Sequence, residues 1–126
     1  MTYIDLHNHI DFYSDSEIEK IMDNSRKAHV EKILVNGTDL KSNKKILELS
    51  KKYPEIIPCL GVYPVEGVQM PEKEFRENLD LIRENKDKIA GIGEVGLDLK
   101  EITSEEGNKK QEENFKKIIE LAKEII

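Results

Sequence analysis

Two histidines near the N-terminus stand two residues apart, in Asp5-Leu6-His7-Asn8-His9. On a β-strand, residues two apart project from the same face, so the two imidazoles point together with Asp5 behind them. Neutral imidazoles at that spacing offer paired nitrogen ligands to one divalent metal ion. The pattern also arises by chance, and two partly exposed histidines without a partner are an equal reading of the pair alone.

A second group lies far along the chain, in Gly91-Ile92-Gly93-Glu94-Val95-Gly96-Leu97-Asp98. Glu94 closes an otherwise apolar run and is flanked by glycines. A carboxylate drawn into such a setting is costly unless a cation or a metal meets it. The glycines resemble a phosphate cradle, but a carboxylate between them repels phosphate unless a metal lies between. A third group, Gly61-Val62-Tyr63-Pro64, brings a phenol that can hydrogen-bond a phosphate or simply pack at a turn. Cys59 sits between Pro58 and Leu60 and reads as a packing residue. His29 reads as a solvated surface side chain, and Lys100, Lys109 and Lys110, in and after the loop above the fourth strand, as a solvated loop more readily than as contacts to a phosphate backbone.

The elements that must position these groups alternate. Tyr3–Ile10 reads as a strand whose Ile4, Leu6 and Ile10 face away from the histidines, toward covering helices. Ser16 and Glu19 form a capping box ahead of a helix carrying Ile18, Ile21, Met22 and Ala28. Lys32–Asn36 reads as a buried strand ended by Gly37. Thr38 or Asp39 caps a second helix through about Lys52, with Ile46, Leu47 and Leu49 on its apolar face. Ile56–Tyr63 is a third strand, weakened at Pro58. Pro71 suits the first turn of a third helix, with Phe75, Leu79 and Ile82 at helical spacing. Ile89–Val95 reads as a fourth strand. A loop holding Gly107 follows, and then a last helix, capped at Asn108 and Gln111, carrying Phe115, Ile118, Ile119, Ala122 and Ile125.

Strand starts near residues 2, 32, 56 and 89 fall at intervals of 30, 24 and 33. Strands and helices alternating in this way imply right-handed βαβ units and a parallel sheet. Eight such units need roughly 230 residues, the size of a (β/α)8 barrel. With 126 residues, the chain holds four units, which equals half a barrel or a small complete α/β domain. The candidate ligands His7, His9 and Glu94, and Tyr63 with them, fall at strand C-terminal ends, where barrel active sites lie.

Composition narrows the function. Lys and Arg number 20 against 26 Asp and Glu, a net charge of −6. That argues against gripping nucleic acid through a broad basic surface, while leaving room for a nuclease whose metal ions supply positive charge. No apolar run approaches a membrane span, and the N-terminus lacks the pattern of a signal peptide. One cysteine cannot form an internal disulfide, so the expected setting is reducing and cytoplasmic.

Together these residues resemble the TatD-related family. Ile4-Asp5-Leu6-His7-Asn8-His9, Lys32-Ile33-Leu34-Val35-Asn36-Gly37-Thr38-Asp39, Leu60-Gly61-Val62-Tyr63-Pro64 and Ile92-Gly93-Glu94-Val95-Gly96-Leu97-Asp98 occur in that family's order. Gln111, Phe115 and the Ile119–Ala122 segment follow as they do there. The resemblance spans nearly the whole chain and implies metal-dependent deoxyribonucleases of the amidohydrolase-like barrel superfamily.

By that resemblance, residues 1–126 form one region, the N-terminal half, four (βα) units, of a TIM-like (β/α)8 barrel. The complete enzyme would carry two divalent ions (zinc, magnesium or manganese) and act on DNA. His7 and His9 fall on the family's first histidine pair. Glu94 falls on the glutamate that can bridge both ions, which makes it the catalytic candidate. Tyr63, where the family often has histidine, and Asp98 are candidate substrate contacts. The family's later ligands, two histidines and an aspartate on further strands, have no counterpart here. The expectation is therefore a chain that binds at most one ion, is inactive alone, and pairs with the other half barrel or with itself. The alternatives are a PHP-type phosphoesterase, which shares Asp-Leu-His-x-His but would need further histidines near Asn36–Asp39, and a non-catalytic interaction module. Ile33, Val35, Leu60 and Ile92 are expected on the face that such a half barrel leaves open.

Overall fold

The computed structural model describes residues 1–125; Ile126, the last residue of the expected helix, lies outside them. The strands are β1 (Tyr3–Asn8), β2 (Val30–Asn36), β3 (Ile56–Leu60) and β4 (Gly91–Ile92), and the helices are α1 (Asp15–Lys27), α2 (Leu40–Lys52), α3 (Pro64–Gln69), α4 (Glu72–Glu84) and α5 (Glu105–Ile125). A single 3-10 turn, Ile10–Phe12, joins β1 to α1. The strands pair in chain order, β1-β2-β3-β4, and every pair is parallel. The architecture is the expected α/β half barrel.

Strand and helix positions follow from local chemistry. Ser14, not Ser16, caps α1: its N–H and Oγ both donate to Glu17, at 2.9 and 2.6 Å. The sequence holds two nested capping boxes, Ser14 with Glu17 and Ser16 with Glu19, and the earlier one starts the helix. Asp39 caps α2 as expected, its Oδ1 accepting from the Ser42 N–H at 2.7 Å. Pro64 does not merely end a strand but opens the short helix α3 at its first turn, where its missing N–H costs nothing. Pro71 then precedes α4 as its N-cap. The last helix begins three residues before Asn108, so Gly107, Asn108 and Gln111 lie inside it. Ser104 Oγ accepts from the Gly107 N–H at 3.1 Å. The fourth strand shrinks from seven expected residues to two, because glycines supply no side chains to pack on the sheet.

The main core contains Ile18 and Met22 of α1, Ile33 and Val35 of β2, Ile46 of α2, Leu60 of β3, Ile82 of α4 and Leu121 of α5. Ile33, Val35 and Leu60 are thus sealed under the helices, correcting their expected place on the open face; only Ile92 of that group is partly exposed. β1 corrects a second expectation. Ile10 is buried, but Ile4 and Leu6 are 60% and 70% exposed. The β1–β2 ladder is irregular between Tyr3 and Ile4 and again between Asp5 and Asn8, and it sets Ile4 beside Lys32 and Asp5 beside Ile33. Register neighbours share a face, so the slip places Asp5 where an isoleucine was expected. β1 is also an edge strand with one neighbour.

Candidate metal centre

His7 and His9 leave the end of β1, and Glu94 follows β4 after one more residue, Gly93. The parallel sheet brings these ends to one rim. There His7 Nε2 and His9 Nε2 each lie 3.1 Å from Glu94 Oε2, and 3.1 Å from one another. Among the described residues this is the one group of three or more histidine, cysteine or acidic side chains with converging ligand atoms.

The supporting shell settles which nitrogen of His9 faces the group. His9 Nδ1 lies 2.9 Å from the Asn36 carbonyl oxygen. A carbonyl only accepts, so Nδ1 carries the proton, and Nε2 of the neutral ring presents its lone pair. The Phe12 ring stacks on His9 with centroids 5.1 Å apart and planes 11° from parallel. Behind it, Asp11 is buried and accepts from Ser42 Oγ at 2.6 Å, tying the 3-10 turn to α2. Burial pushes the Asp11 carboxyl above its ordinary range, more than the Ser42 bond lowers it.

Glu94 is held through its backbone. Its N–H donates to the Gly37 carbonyl at 2.9 Å, and the Gly37 N–H donates to the Gly93 carbonyl at 3.2 Å. Gly61 lies directly against this peptide: a Cβ there would collide with Gly93 C and Glu94 N. Only glycine permits so close an approach. The next glycine that matters is Gly96, whose φ of +150° lets the chain turn away after Val95.

The donor set suits a divalent ion. A tetrahedral ion with bonds of about 2.1 Å spaces its ligands about 3.4 Å apart, close to the 3.1 Å seen among the three atoms. Two imidazole nitrogens and one carboxylate match catalytic zinc sites that keep a position for water or substrate.

Tyr63 and Asp98 meet beside this group rather than within it. Tyr63 Oη donates to Asp98 Oδ2 at 2.6 Å. That bond, with burial and the negative charge of Asp98 behind it, pushes the phenol up to about 12. The same bond holds the Asp98 carboxyl below its usual range. Gln111 of α5 then brackets the Asp98 backbone, accepting from its N–H at 2.6 Å and donating to its carbonyl at 3.3 Å. His7, Asn36, Tyr63, Glu94, Asp98 and Lys100 line one open cleft of about 710 Å³. Cys59 is buried as expected, and burial pushes its thiol up. Lys109 and Lys110 are not loop residues but sit in α5, Lys110 2.9 Å from Glu72, while Lys100 and His29 are exposed.

Several buried amides escaped the sequence reading: Asn43 of α2, Asn78 of α4 and Asn114 of α5, while Gln111, expected as a cap, is buried inside α5. Their signal was present. Each occupies the apolar stripe of its helix, as Asn43 does three residues before Ile46 and Asn78 three after Phe75.

A parallel half barrel with a two-histidine, one-carboxylate cluster at the C-terminal rim of its strands defines the class of metal-dependent barrel hydrolases. Residues 4–125 match the family model described as TatD related DNase; the chain belongs to this family. It is 36% identical over 124 residues to a protein of Methanocaldococcus jannaschii named an uncharacterized metal-dependent hydrolase, covering 98% of this chain and 47% of that protein. It is 31% identical over 134 residues to the human protein named deoxyribonuclease TATDN3, covering 97% and 48%. Among solved structures, the TatD homolog YjjV of Escherichia coli superposes with a TM-score of 0.81 at 27% identity, over 98% of this chain and 47% of that one. A TatD-family hydrolase of Entamoeba histolytica, 21% identical, shares the fold at a TM-score of 0.82. The chain spans about half the length of the curated relatives it matches.

Proposed function

We propose that residues 1–126 are the N-terminal half barrel of a TatD-type, metal-dependent deoxyribonuclease that hydrolyses phosphodiester bonds. The observation that carries this reading is the convergence of His7 Nε2, His9 Nε2 and Glu94 Oε2 within 4.8 Å of one another. His7, His9 and Glu94 would hold a divalent ion, and the Glu94 carboxylate would also be available to a second one in the complete enzyme. When bound, such ions polarise a phosphoryl oxygen, make water acidic enough to attack, and offset repulsion between an acidic protein and DNA.

The remaining chemistry belongs to the chain. The Asn36 carbonyl keeps the His9 proton on Nδ1, so the ring enters the site as a ligand and not as an acid. Tyr63, with its phenol pushed up to about 12, keeps its proton at neutral pH and serves as a donor rather than a base. Asp98, held ionised, anchors that phenol at the side of the cleft and leaves the centre of the site to Glu94. Tyr63 and Lys100 line the cleft along which a substrate phosphate would enter. The single unpaired cysteine, Cys59, supports a reducing, cytoplasmic setting, and no helix among the described residues is long and apolar enough to cross a membrane.

Titration calorimetry with Zn²⁺ or Mn²⁺ tests the site. One ion should bind, and the His7→Ala/His9→Ala double substitution should abolish binding; unchanged binding would sink the assignment. The chain alone should show little or no DNA cleavage. Robust, chelator-sensitive cleavage lost in Glu94→Ala would instead make this half sufficient.

The same reading includes a partner for the open sheet, either a C-terminal half barrel or a second copy. Large exposed apolar side chains gather at the sheet's two ends, at Tyr3, Ile4 and Leu6 on β1 and at Leu97 and Leu99 beyond β4. Unpaired strand edges with apolar flanks template association. Sedimentation should show self-association that Leu6→Lys weakens, and a monomer across all concentrations would remove this part of the proposal.

A further inference from the structure

We infer that Asn43 of α2, backed by Asn78 of α4, is a positioning residue that fixes the backbone beneath Glu94. The inference rests on the reading of His7, His9 and Glu94 as a metal centre.

Glu94 lies beyond the last ladder residue, Ile92, so regular sheet pairing does not hold it. Its peptide is held instead by two neighbours, Gly37 and Gly61, and one side chain touches both. Asn43 Oδ1 accepts from the Gly61 N–H at 3.1 Å, and Asn43 Nδ2 donates to the Gly61 carbonyl at 2.8 Å. One amide therefore occupies both backbone groups of Gly61, as a neighbouring strand would. The same Oδ1 fills the space into which a Cβ on Gly37 would project. Gly37 in turn accepts from the Glu94 N–H and donates to the Gly93 carbonyl, while Gly61 presses on the Gly93–Glu94 peptide from its other side.

The second hydrogen of Asn43 Nδ2 donates to Asn78 Oδ1 at 2.8 Å. Asn78 Nδ2 donates to the Glu74 carbonyl at 3.0 Å. Asn43 and Asn78 are both 0% exposed, and every hydrogen-bonding atom of the pair is satisfied. Buried amides with all partners made are rigid, and losing one partner strands the rest in a medium where the loss is costly. The chain of contacts runs from α4 through α2 to the two glycines and ends on the Glu94 backbone. It passes through no atom of the metal cluster itself. Helix packing thereby sets where the carboxylate stands relative to the histidines, which arrive separately from β1.

Two readouts test this, one independent of any metal. In Asn43→Ala, amide hydrogen exchange at Glu94 and Gly37 should accelerate more than about 10-fold relative to Ile82→Val, a core substitution chosen to lower stability without touching the amide chain. Zn²⁺ affinity should fall by about 10-fold, the usual cost of removing an outer partner of a metal site, with Ile82→Val unchanged. Should Asn43→Ala fail to fold, Asn78→Ala keeps the Gly61 clamp, removes only its backing, and should show the same pattern at smaller size. Exchange at Glu94 that tracks global stability equally in all variants would overturn the positioning role. Wild-type protein that binds no Zn²⁺ would overturn the metal reading, while the exchange data would still decide the role of Asn43.

Discussion

The rim of the sheet carries two polar corners, and they are finished to different degrees. In the Tyr63–Asp98–Gln111 corner every group answers another: phenol to carboxylate, carboxylate to the backbone N–H groups of Lys100 and Glu101, amide to the Asp98 backbone. In the His7–His9–Glu94 corner the converging atoms face only each other. His9 Nε2 carries no hydrogen while Nδ1 keeps it, yet it stands 3.1 Å from the acceptor Glu94 Oε2, and a single proton on His7 Nε2 must serve both. The first corner is complete as it stands, and the second has the form that a cation would complete. A reactive-looking residue type therefore says less about a ligand than whether its polar atoms already have partners.

Breaking the unfinished corner should have the largest effect. Glu94→Ala removes the one charged ligand and should lower Zn²⁺ or Mn²⁺ affinity more than about 100-fold, beyond the range expected of supporting residues. Calorimetry reads this directly. A Glu94→Ala protein that binds within a few-fold of wild type would place the ion elsewhere and dissolve the contrast between the corners.

The finished corner should reveal itself by titration. The Tyr63 phenol is pushed up to about 12 chiefly by its bond to Asp98. In Asp98→Asn an acceptor remains but the charge is gone, so the phenol should titrate closer to about 10. Ultraviolet absorbance of phenolate ionisation, compared with Tyr63→Phe to isolate this residue, measures the shift. The acid side carries the opposite sign. The folded Asp98 carboxyl is depressed, so its contribution to stability is present above about pH 3.9, the unfolded value, and is lost as pH falls through the folded one. Because the Tyr63 bond is the largest cause of that depression, Tyr63→Phe should lose less stability on acidification than wild type, and an equal loss in both would show that the Glu101 and Lys100 N–H groups alone hold the carboxylate.

Much of this was legible in the sequence, for identifiable reasons. Paired histidines on a strand, an acidic residue amid glycines and the spacing of the βα units announce the half barrel and its cluster, because each depends on local periodicity. Ladder irregularities do not. The slip that exposes Ile4 and Leu6 is decided between strands, where β1 meets β2, and alternation within β1 alone points the other way. The start of α1 was ambiguous because Ser14 and Ser16 each precede a glutamate by three residues. The buried amides were the largest omission. Asn43 on an apolar stripe looks like a flaw in a helix until Gly61 is seen to need both of its backbone groups filled.

The smallest expected effect is the sharpest test of the comparison. Tyr63, which the family resemblance sets at a position of histidine, lines the same cleft as His7 and Glu94. If it were a ligand, removing its hydroxyl would cost metal affinity on the scale of a lost ligand. Its oxygen is already committed to Asp98 at 2.6 Å, and a phenol that keeps its proton to about pH 12 is a poor donor of electron pairs to a cation near neutrality. Tyr63→Phe should therefore change Zn²⁺ affinity by less than about 3-fold, below the roughly 10-fold at which outer partners of a metal ligand usually register. Calorimetry on Tyr63→Phe and Tyr63→His side by side separates the cases. The histidine variant should equal or exceed wild-type affinity, since an imidazole there restores a nitrogen that can turn toward the ion. A 100-fold loss in Tyr63→Phe would show that the phenol leaves Asp98 once an ion arrives, and that the two corners are one site.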